Sequence, residues 1–473
     1  MIWRHVRLLG SPEPVEIRIA HGEIAAIGPV STASDVEVVD LDGRIVIPGL
    51  WDSHVHFDTF AALSSGIDLS GAENAEQAAA MIGAACWPQD GLVLGHGFRC
   101  AQWPAPPSAT LLDEISAQRP IVALSGDLHG AWLNSTALAR FGLPSGHHGH
   151  LLEHEAFSVG QRALGEFASR PGAVAEAAKS VSARGVVGIV DYEMNWKTER
   201  WLDRMAAGFD TLKVVSATQL EDLDRLIKTG WRTGERLHEL LTVGSLKIFG
   251  DGSINSRTAW CHDGYADDPG WHGVPNIQPD VLAGVLTKAN AHGIHAAVHA
   301  IGDRAVAMVL DAFAATGARG SVEHAQLVAA EDLPRFAALG ITASIQPTHL
   351  IDDWAVADQL WAGRTARAFP LASLLDAGAQ VRFGSDAPVA PLDPWHSISV
   401  AAHRVVAGRP WHSEQAIGVA AAIACSTRTQ VRPGEPADLI VLDADPLTAS
   451  PEQLSALPVA ATALGGRFTH CSC

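Results

Sequence analysis

Residues 49–57 read GLWDSHVHF, an apolar run that carries two imidazoles two positions apart. Alternate side chains of a strand share one face, so His54 and His56 are predicted to project to the same side. Seven similar β-branched runs follow, and helical stretches lie between most of them. The seven runs are Gly185–Tyr192, Leu212–Ala217, Leu241–Phe249, Ile294–Ala300, Ser321–Ala325, Ile341–Gln346 and Val381–Ser385. Eight strand–helix repeats predict an α/β fold of the (β/α)₈ barrel type.

The length of the middle of the chain agrees with a barrel. Residues 51–425 number 375, and leaving out the 127 residues of 58–184 gives 248, against about 250 for a typical barrel. We therefore predict a barrel over 51–425 with a subdomain inserted after its first strand, at about 58–184. A doubly wound open sheet is the alternative, but it favours a Gly-rich phosphate loop after the first strand, and this sequence has none there.

Both ends of the chain show a sequence pattern typical of short strands separated by turns. Apolar runs alternate with His21-Gly22 and Asp42-Gly43 near the start, and Gly465-Gly466 separates two such runs near the end. Neither end is long enough to bury a core alone. We expect residues 1–50 and 426–473 to form one small, discontinuous β-sandwich domain.

Composition excludes several classes of partner. The 473 residues carry 33 Lys and Arg against 52 Asp and Glu, a formal charge of −19. That charge argues against nucleic acid and anionic membranes as partners. The six cysteines form no CxxC pair, and we find no signal peptide or transmembrane run, so a cytoplasmic protein is expected. The oligomeric state is left open, a homo-oligomer being one option.

Ionisable residues occur where the predicted strands end. Lys247, His299, His324 and Asp386 each follow or close an apolar strand, as His54 and His56 do. A buried Lys or Asp is costly unless it is paired or bound to a metal, so one shared site explains them better than separate accidents. Neutral imidazoles and a carboxylate suit zinc and similar divalent ions. In a barrel, these strand ends form the catalytic mouth.

At this point the sequence resembles a known family. The six positions match, in order, the binuclear metal centre of the amidohydrolase superfamily, and the surrounding text resembles its third group, which includes N-substituted formamide deformylases. The motifs that carry the resemblance are Val46–Leu50, Lys247–Ser253, His299–Ala305, Glu323–Gln326, Gly384–Pro388, Pro436–Leu442 and, in the insertion, Asp127–Ser135.

The resemblance implies a ligand set. His54, His56 and Asp386 would bind the more buried of two divalent metal ions, and His299 and His324 would bind the second. Lys247 would carry a CO₂-derived carbamate that bridges them, since an ammonium cannot ligate a cation whereas a carbamate is an anionic ligand with two oxygens. Zinc is the default metal, and iron, manganese or nickel would also suit these ligands.

The resemblance also implies a reaction, the hydrolysis of an amide-type C–N bond in a small organic substrate by metal-activated hydroxide. Asp386 would act as general base and then as general acid. His129 of the insertion is a candidate catalytic residue that also contacts the substrate. The candidate substrate contacts are His129, Trp132, Asp251 and Arg257.

Several alternatives stay open. His295 competes with His299 as a ligand, and an unmodified Lys247 paired with Asp251 would leave a single metal. A mononuclear aminohydrolase that removes ammonia is the second functional hypothesis, and a lactone or phosphoester hydrolase could use the same hydroxide. A catalytically silent scaffold is the least favoured hypothesis, because all six ligand positions are filled.

Overall fold

The computed structural model describes residues 1–30, 36–87, 90–100, 103–126, 128–144, 146–170 and 172–472. The chain comprises two compact units, one made of Met1–Val55 and Ala178–Cys473 and the other of His56–Ala177. The first strands are β1 (Ile2–Leu8), β2 (Pro14–Ala20), β3 (Glu23–Pro29), β4 (Val38–Asp40), β5 (Ile45–Pro48) and β6 (Leu50–Val55). The last of these, β6, comprises the Leu50–Val55 part of the stretch 49–57 that opened the sequence analysis.

The second unit has its own sheet and core. Its strands are β7 (Ile67–Asp68), β8 (Val93–Phe98), β9 (Ile121–Ser125), β10 (Gly130–Leu133) and β11 (His150–Leu152). They pair in the order β11-β10-β9-β8-β7. Its helices are α1 (Phe57–Ser64), α2 (Ala75–Ala84), α3 (Ala109–Ile115), α4 (Ser135–Phe141) and α5 (Glu153–Ala168). Helix α4 begins where the Asn134 side chain accepts from Ala137 N–H and ends at Gly142 in the left-handed region.

The chain then alternates between strands and helices. The strands are β12 (Val186–Asp191), β13 (Lys213–Gln219), β14 (Arg236–His238), β15 (Leu241–Phe249), β16 (Ala296–Ala300), β17 (Gly320–His324), β18 (Thr342–Ile345) and β19 (Val381–Phe383). The helices are α6 (Ala173–Ser182), α7 (Thr198–Ala206), α8 (Leu223–Thr229), α9 (Pro279–Ala291), α10 (Asp303–Thr316), α11 (Leu333–Leu339), α12 (His349–Leu360), α13 (Leu371–Asp376), α14 (Pro394–His403) and α15 (Val419–Cys425).

Strand β6 and seven of these strands form the barrel. They follow the order β6-β12-β13-β15-β16-β17-β18-β19, and every neighbouring pair is parallel. A parallel bridge from Val55 to Ala387 joins the first strand to the segment after the last and nearly closes the cylinder. The predicted barrel is confirmed, because each of the eight predicted runs overlaps one of these strands.

The two ends of the chain share one sheet. After the short hairpin of β20 (Val405–Val406) and β21 (Arg409–Pro410), the final elements are β22 (Leu439–Leu442), α16 (Pro451–Ser455), β23 (Val459–Leu464) and β24 (Arg467–Cys471). The sheet runs β24-β23-β22-β5-β1-β2-β3, with β4 also paired to β1. It brings together strands from residues 1–50 and 426–473; the sandwich arrangement of this segment stays a prediction.

The barrel wall packs against its helices through one large apolar cluster. Strand side chains such as Val298 and Val322 meet helix side chains such as Leu286 and Phe313, all nearly inaccessible to solvent. Several helices end sharply at a left-handed glycine, as α10 does at Gly317 and α11 at Gly340. In the part of the chain that is described, no helix combines the length and the apolar character needed to cross a bilayer.

Candidate metal centre

The barrel gathers five of the six predicted ligands within one cluster. His54 lies on β6, Lys247 on β15, His299 on β16 and His324 at the end of β17, while Asp386 follows β19. All five are buried, with at most 9% of any residue exposed. Parallel strands of a barrel end at one rim, and this brings together residues that are far apart in the sequence.

Three of these side chains meet as metal ligands do. Ligand atoms of His54, His324 and Asp386 all lie within 4.8 Å of one another. The Nε2 atom of His54 is 3.5 Å from Asp386 Oδ1 and 3.1 Å from Lys247 Nζ. The ring of His299 lies 4.5 Å from the ring of His324.

The donor chemistry of this cluster fits a divalent cation. His324 Nδ1 is buried, and within the described residues it has no hydrogen-bond partner. An unpaired polar atom in a protein interior is costly, and a metal ion would remove that cost. Imidazole nitrogens and a carboxylate are the ligands that zinc and similar ions take.

The electrostatics of the site keep the imidazoles neutral. Burial, together with the charge of Lys247, lowers the pKa of His299 to about 3 and also lowers the pKa of His54. Burial holds the pKa of His324 well below its usual value. The pKa of Lys247 is lowered as well, because its ammonium group is removed from water. A cation therefore meets lone pairs and not competing protons.

Glu323 orients His54. In the sequence analysis Glu323 appeared only as part of the motif Glu323–Gln326. His54 Nδ1 donates to Glu323 Oε2 at 2.6 Å, which leaves Nε2 as the ligating nitrogen. The carboxylate also accepts from Tyr192 Oη at 3.4 Å and from Ser321 Oγ. Although burial opposes it, the hydrogen bond from His54 keeps the pKa of Glu323 below its usual value. The sequence signal for this orienting residue was a carboxylate directly before the predicted ligand His324.

A second carboxylate clamps the first and last barrel strands together. Asp52 Oδ1 accepts from His54 N at 2.9 Å and from Ser385 N at 3.0 Å. Asp386 N donates to His54 O at 2.7 Å, and Asp386 has a φ of 59°, in the left-handed region. These contacts fix His54 and Asp386, which lie at opposite ends of the barrel sequence, against each other.

Gly384 gives a test of this contact between the first and last barrel strands. A Cβ atom at this position would lie 2.5 Å from His54 N and 2.6 Å from His54 Cβ. We expect Gly384→Ala to destabilise the fold by about 1–3 kcal/mol, as overpacking does, and to weaken metal binding because His54 is displaced. Denaturant unfolding and metal titration measure both effects.

Gly284 provides the matched control. It lies within α9, and a Cβ there would have no atom within 4 Å. Gly284→Ala should leave metal binding unchanged and stabilise the protein by roughly 0.5–1 kcal/mol. Equal unfolding midpoints for the two variants would contradict the close approach at Gly384.

The other predicted site residues of the barrel unit lie in different settings. Asp251 Oδ2 accepts from Trp260 N at 2.8 Å and Gly302 N at 2.9 Å, and its Oδ1 accepts from Ile301 N at 2.9 Å. Burial raises the pKa of Asp251 to about 7. Its Oδ1 lies 3.5 Å from His299 Nε2, so this carboxylate joins loop backbone to a predicted ligand. Arg257 is exposed and pairs with Asp267 at 2.5 Å.

The predicted site residues of the second unit are described within that unit. His129 is half exposed, with Nδ1 3.1 Å from Glu153 Oε2. Trp132 is fully buried in the unit's core and donates from Nε1 to Ser108 O at 2.8 Å. Asp127 of the same motif lies outside the described residues. His56 is half-buried and is the N-cap of α1.

His295 and His349 complete the picture around the cluster. His295 precedes β16 and donates from its backbone N–H to Thr233 Oγ1 at 2.9 Å, whereas His299 faces His324. His349 was not considered from the sequence. Its ring stacks on His324 with centroids 5.7 Å apart, and its Nε2 is 3.7 Å from Asp386 Oδ2. The signal was a histidine three residues beyond predicted strand Ile341–Gln346.

Comparisons with known proteins agree with this geometry. The model of the amidohydrolase family matches residues 37–470. The protein LONG AFTER FAR-RED 3 of Arabidopsis thaliana is 30% identical over 95% of this chain and 87% of its own length. The N-substituted formamide deformylase of Arthrobacter pascens is 26% identical over 95% of this chain and 94% of its own. An uncharacterized metal-dependent hydrolase from Pyrococcus horikoshii OT3 has a crystal structure that superposes with a TM-score of 0.83, at 26% identity, covering 95% of this chain and 99% of that chain.

Proposed function

This chain belongs to the amidohydrolase family and is a metal-dependent hydrolase, and from that premise we propose that it cleaves an amide-type C–N bond in a small organic substrate. The observation that carries the proposal is the cluster of His54, His324 and Asp386 ligand atoms within 4.8 Å at the rim of the barrel. The similarity to an N-substituted formamide deformylase makes N-formyl amines the first compounds to test.

We propose two divalent metal ions, with zinc as the default. His54, His56 and Asp386 would hold one ion, and His299 and His324 would hold the other. Lys247 supports the binuclear form, because its Nζ is buried 3.1 Å from His54 Nε2. Burial favours the neutral amine, which can attack CO₂, forming an N–C bond and releasing one proton to give the carbamate.

A mononuclear aminohydrolase is less well supported by this arrangement. Such an enzyme has no use for a lysine among its metal ligands, yet Lys247 is 1% exposed and directly beside His54. Ester or lactone hydrolysis uses the same groups and stays an alternative substrate class.

Bound metal ions would lower the pKa of a water molecule and polarise a carbonyl group. The chain supplies the remaining functions. Asp386 accepts the proton of the attacking water and delivers it to the leaving nitrogen, as general base and then general acid. Glu323 keeps the Nε2 lone pair of His54 available by accepting the Nδ1 proton.

An exposed aromatic residue adds a specificity element to the proposal. The Phe249 residue is 40% exposed, although its ring lies 5.6 Å from the His299 ring. Its face is also near Lys247 Nζ, at 5.3 Å from the ring centroid. An apolar surface of this kind beside ligand residues favours a substrate with an apolar or aromatic group next to the scissile bond. We further propose a cytoplasmic location, since the sequence has only six cysteines and no CxxC pair.

The test is metal content per chain by elemental analysis, on protein purified without chelator and supplied with zinc and bicarbonate. We expect two metal equivalents and turnover of N-formyl or N-acyl amines. His54→Ala should lose metal and activity together, whereas His292→Ala, at an exposed position on the barrel's exterior helices, should lose neither. One equivalent would favour the mononuclear form. Retained activity in His54→Ala would contradict the assignment of His54 as a metal ligand.

A further inference from the structure

The turn after the seventh barrel strand places His349 beside the metal centre. Its Nε2 is 3.7 Å from Asp386 Oδ2, which is beyond hydrogen-bond distance. The residue is 8% exposed, and no described residue gives this Nε2 a hydrogen bond. The planes of the His349 and His324 rings differ by only 14°. This nitrogen therefore lies at the ligand cluster with no hydrogen bond from the described residues.

The same segment carries three more buried polar atoms of this kind. Ser344 Oγ, Gln346 Oε1 and Thr348 Oγ1 also have no hydrogen-bond partner among the described residues. Ser344 pairs in register with Glu323, whose carboxylate points into the barrel toward His54. Residues paired in a sheet share a face, so Ser344 faces the interior, and Gln346 follows two residues later on that face.

Unsatisfied polar atoms rarely cluster without a reason. Each buried one costs about 1–3 kcal/mol, and native proteins have only a few per hundred residues. Four atoms within residues 344–349 therefore mark a surface that a polar ligand completes. Thiol, carboxylate and ammonium groups are absent from this segment, so the groups offered are neutral hydrogen-bonding ones.

The position of His349 is fixed by its surroundings. It is the first residue of α12, and its N–H donates to Gln346 O at 3.1 Å. One turn on, Asp353 accepts from Gln326 Nε2 and from Asn255 Nδ2, both at 2.7 Å. These bonds tie α12 to the segments that follow the sixth and fourth barrel strands. A donor held in place before the reaction costs no reorganisation during it.

We propose that His349 donates a hydrogen bond from Nε2 to the carbonyl oxygen of the bound substrate and stabilises the negative charge that develops on it. This nitrogen lies 3.7 Å from Asp386 Oδ2, the carboxylate oxygen of the proposed general base. The near-parallel ring of His324 keeps this donor beside a residue that would hold the proposed second metal ion. The role rests on the proposed amide hydrolysis, and it makes His349 a catalytic residue supplied by the segment that follows the seventh strand.

The test compares two substitutions of His349. His349→Phe keeps a flat ring against His324 and removes the donor, and His349→Gln keeps an N–H at a similar reach. We expect His349→Phe to bind the full metal complement and to lower kcat on N-formyl amines by about 10²–10³-fold, with KM changed much less. His349→Gln should recover at least part of that loss. His292→Phe is the matched control for a new phenylalanine.

A binding measurement separates this role from the proposed function. Methylphosphonate, a tetrahedral anion, is titrated into cobalt-loaded protein and followed by visible absorption. Its Kd should rise at least about tenfold in His349→Phe, the loss of roughly one hydrogen bond to a charged group. An unchanged Kd, a kcat within threefold of the parent, or loss of metal in His349→Phe would each overturn the proposal. If the parent hydrolyses no amide, the proposed function fails, and the titration still decides the role of His349.

Discussion

Lys247→Ala is expected to lose a metal equivalent and to lower kcat/KM by about 10³-fold or more. A metal acting as Lewis acid contributes several kcal/mol to the transition state, and each 1.36 kcal/mol is about tenfold in rate. Removing the side chain also leaves a space beside His54 that a short carboxylate can enter. Acetate or propionate should therefore restore part of the metal content and part of the rate, which elemental analysis and steady-state assays measure together.

Two further lysine variants sharpen this experiment. Lys247→Arg keeps a cation, but a guanidinium cannot form a carbamate, so it should be as inactive as the alanine variant and should not respond to acetate. Lys288→Ala removes an exposed lysine that pairs with Asp224 and should behave like the parent. Two metals and full activity in Lys247→Arg would disprove the carbamate bridge.

Asp386→Asn should lower the rate of amide hydrolysis by about 10²–10⁴-fold, the usual range for a general acid–base group. An amide nitrogen needs a proton to leave, whereas the p-nitrophenolate of an activated ester leaves without one. The rate on p-nitrophenyl acetate should therefore fall much less than the rate on an N-formyl amine. Both rates are measured in zinc-supplemented buffer, with the metal content determined on the same samples.

The comparison between the two substrates isolates proton transfer from metal loss. A variant that merely loses metal would lose both activities in equal proportion. Asp376→Asn, at the exposed end of α13, is the matched control and should leave both rates unchanged. An amide rate within tenfold of the parent in the zinc-loaded Asp386→Asn protein would show that another group handles the proton.

The barrel and the clustering of its strand-end residues were predictable because each depends on a local pattern. A β-branched run predicts a strand. Because a parallel barrel brings all strand ends to one rim, the polar residues at those strand ends are predicted to lie near one another. The proximity of His54 to Lys247 and to His324 was predicted in this way. The family match over residues 37–470 confirms the resemblance on which the roles were based.

The orienting residues were not predictable because they depend on pairwise geometry. Glu323 contacts His54 across 269 residues of sequence, and nothing in either strand indicates that partner. Asp251 is similar, since its backbone donors come from two separate loops. His349 was not predicted because it lies several residues after β18, at the beginning of α12.

Aromatic residues show a different limit. Trp132 was a candidate substrate contact, yet all four residues of β10 are buried. A strand that is buried on both faces has no alternation, so the sequence cannot distinguish a pocket residue from a core residue. Phe249 is the reverse case, because the last residue of an apolar strand is 40% exposed beside the ligands.

The clamp between Asp52 and Ser385 has a consequence for how the protein is made. These residues are 333 positions apart, so at ordinary synthesis speeds the ribosome needs roughly 20–70 seconds to travel from one to the other. During that interval His54 has been synthesised without the aspartate that meets it in the finished barrel. A nascent or truncated chain that stops before Asp386 therefore lacks part of the ion-binding cluster. The complete cluster can bind metal only after translation has passed the eighth strand.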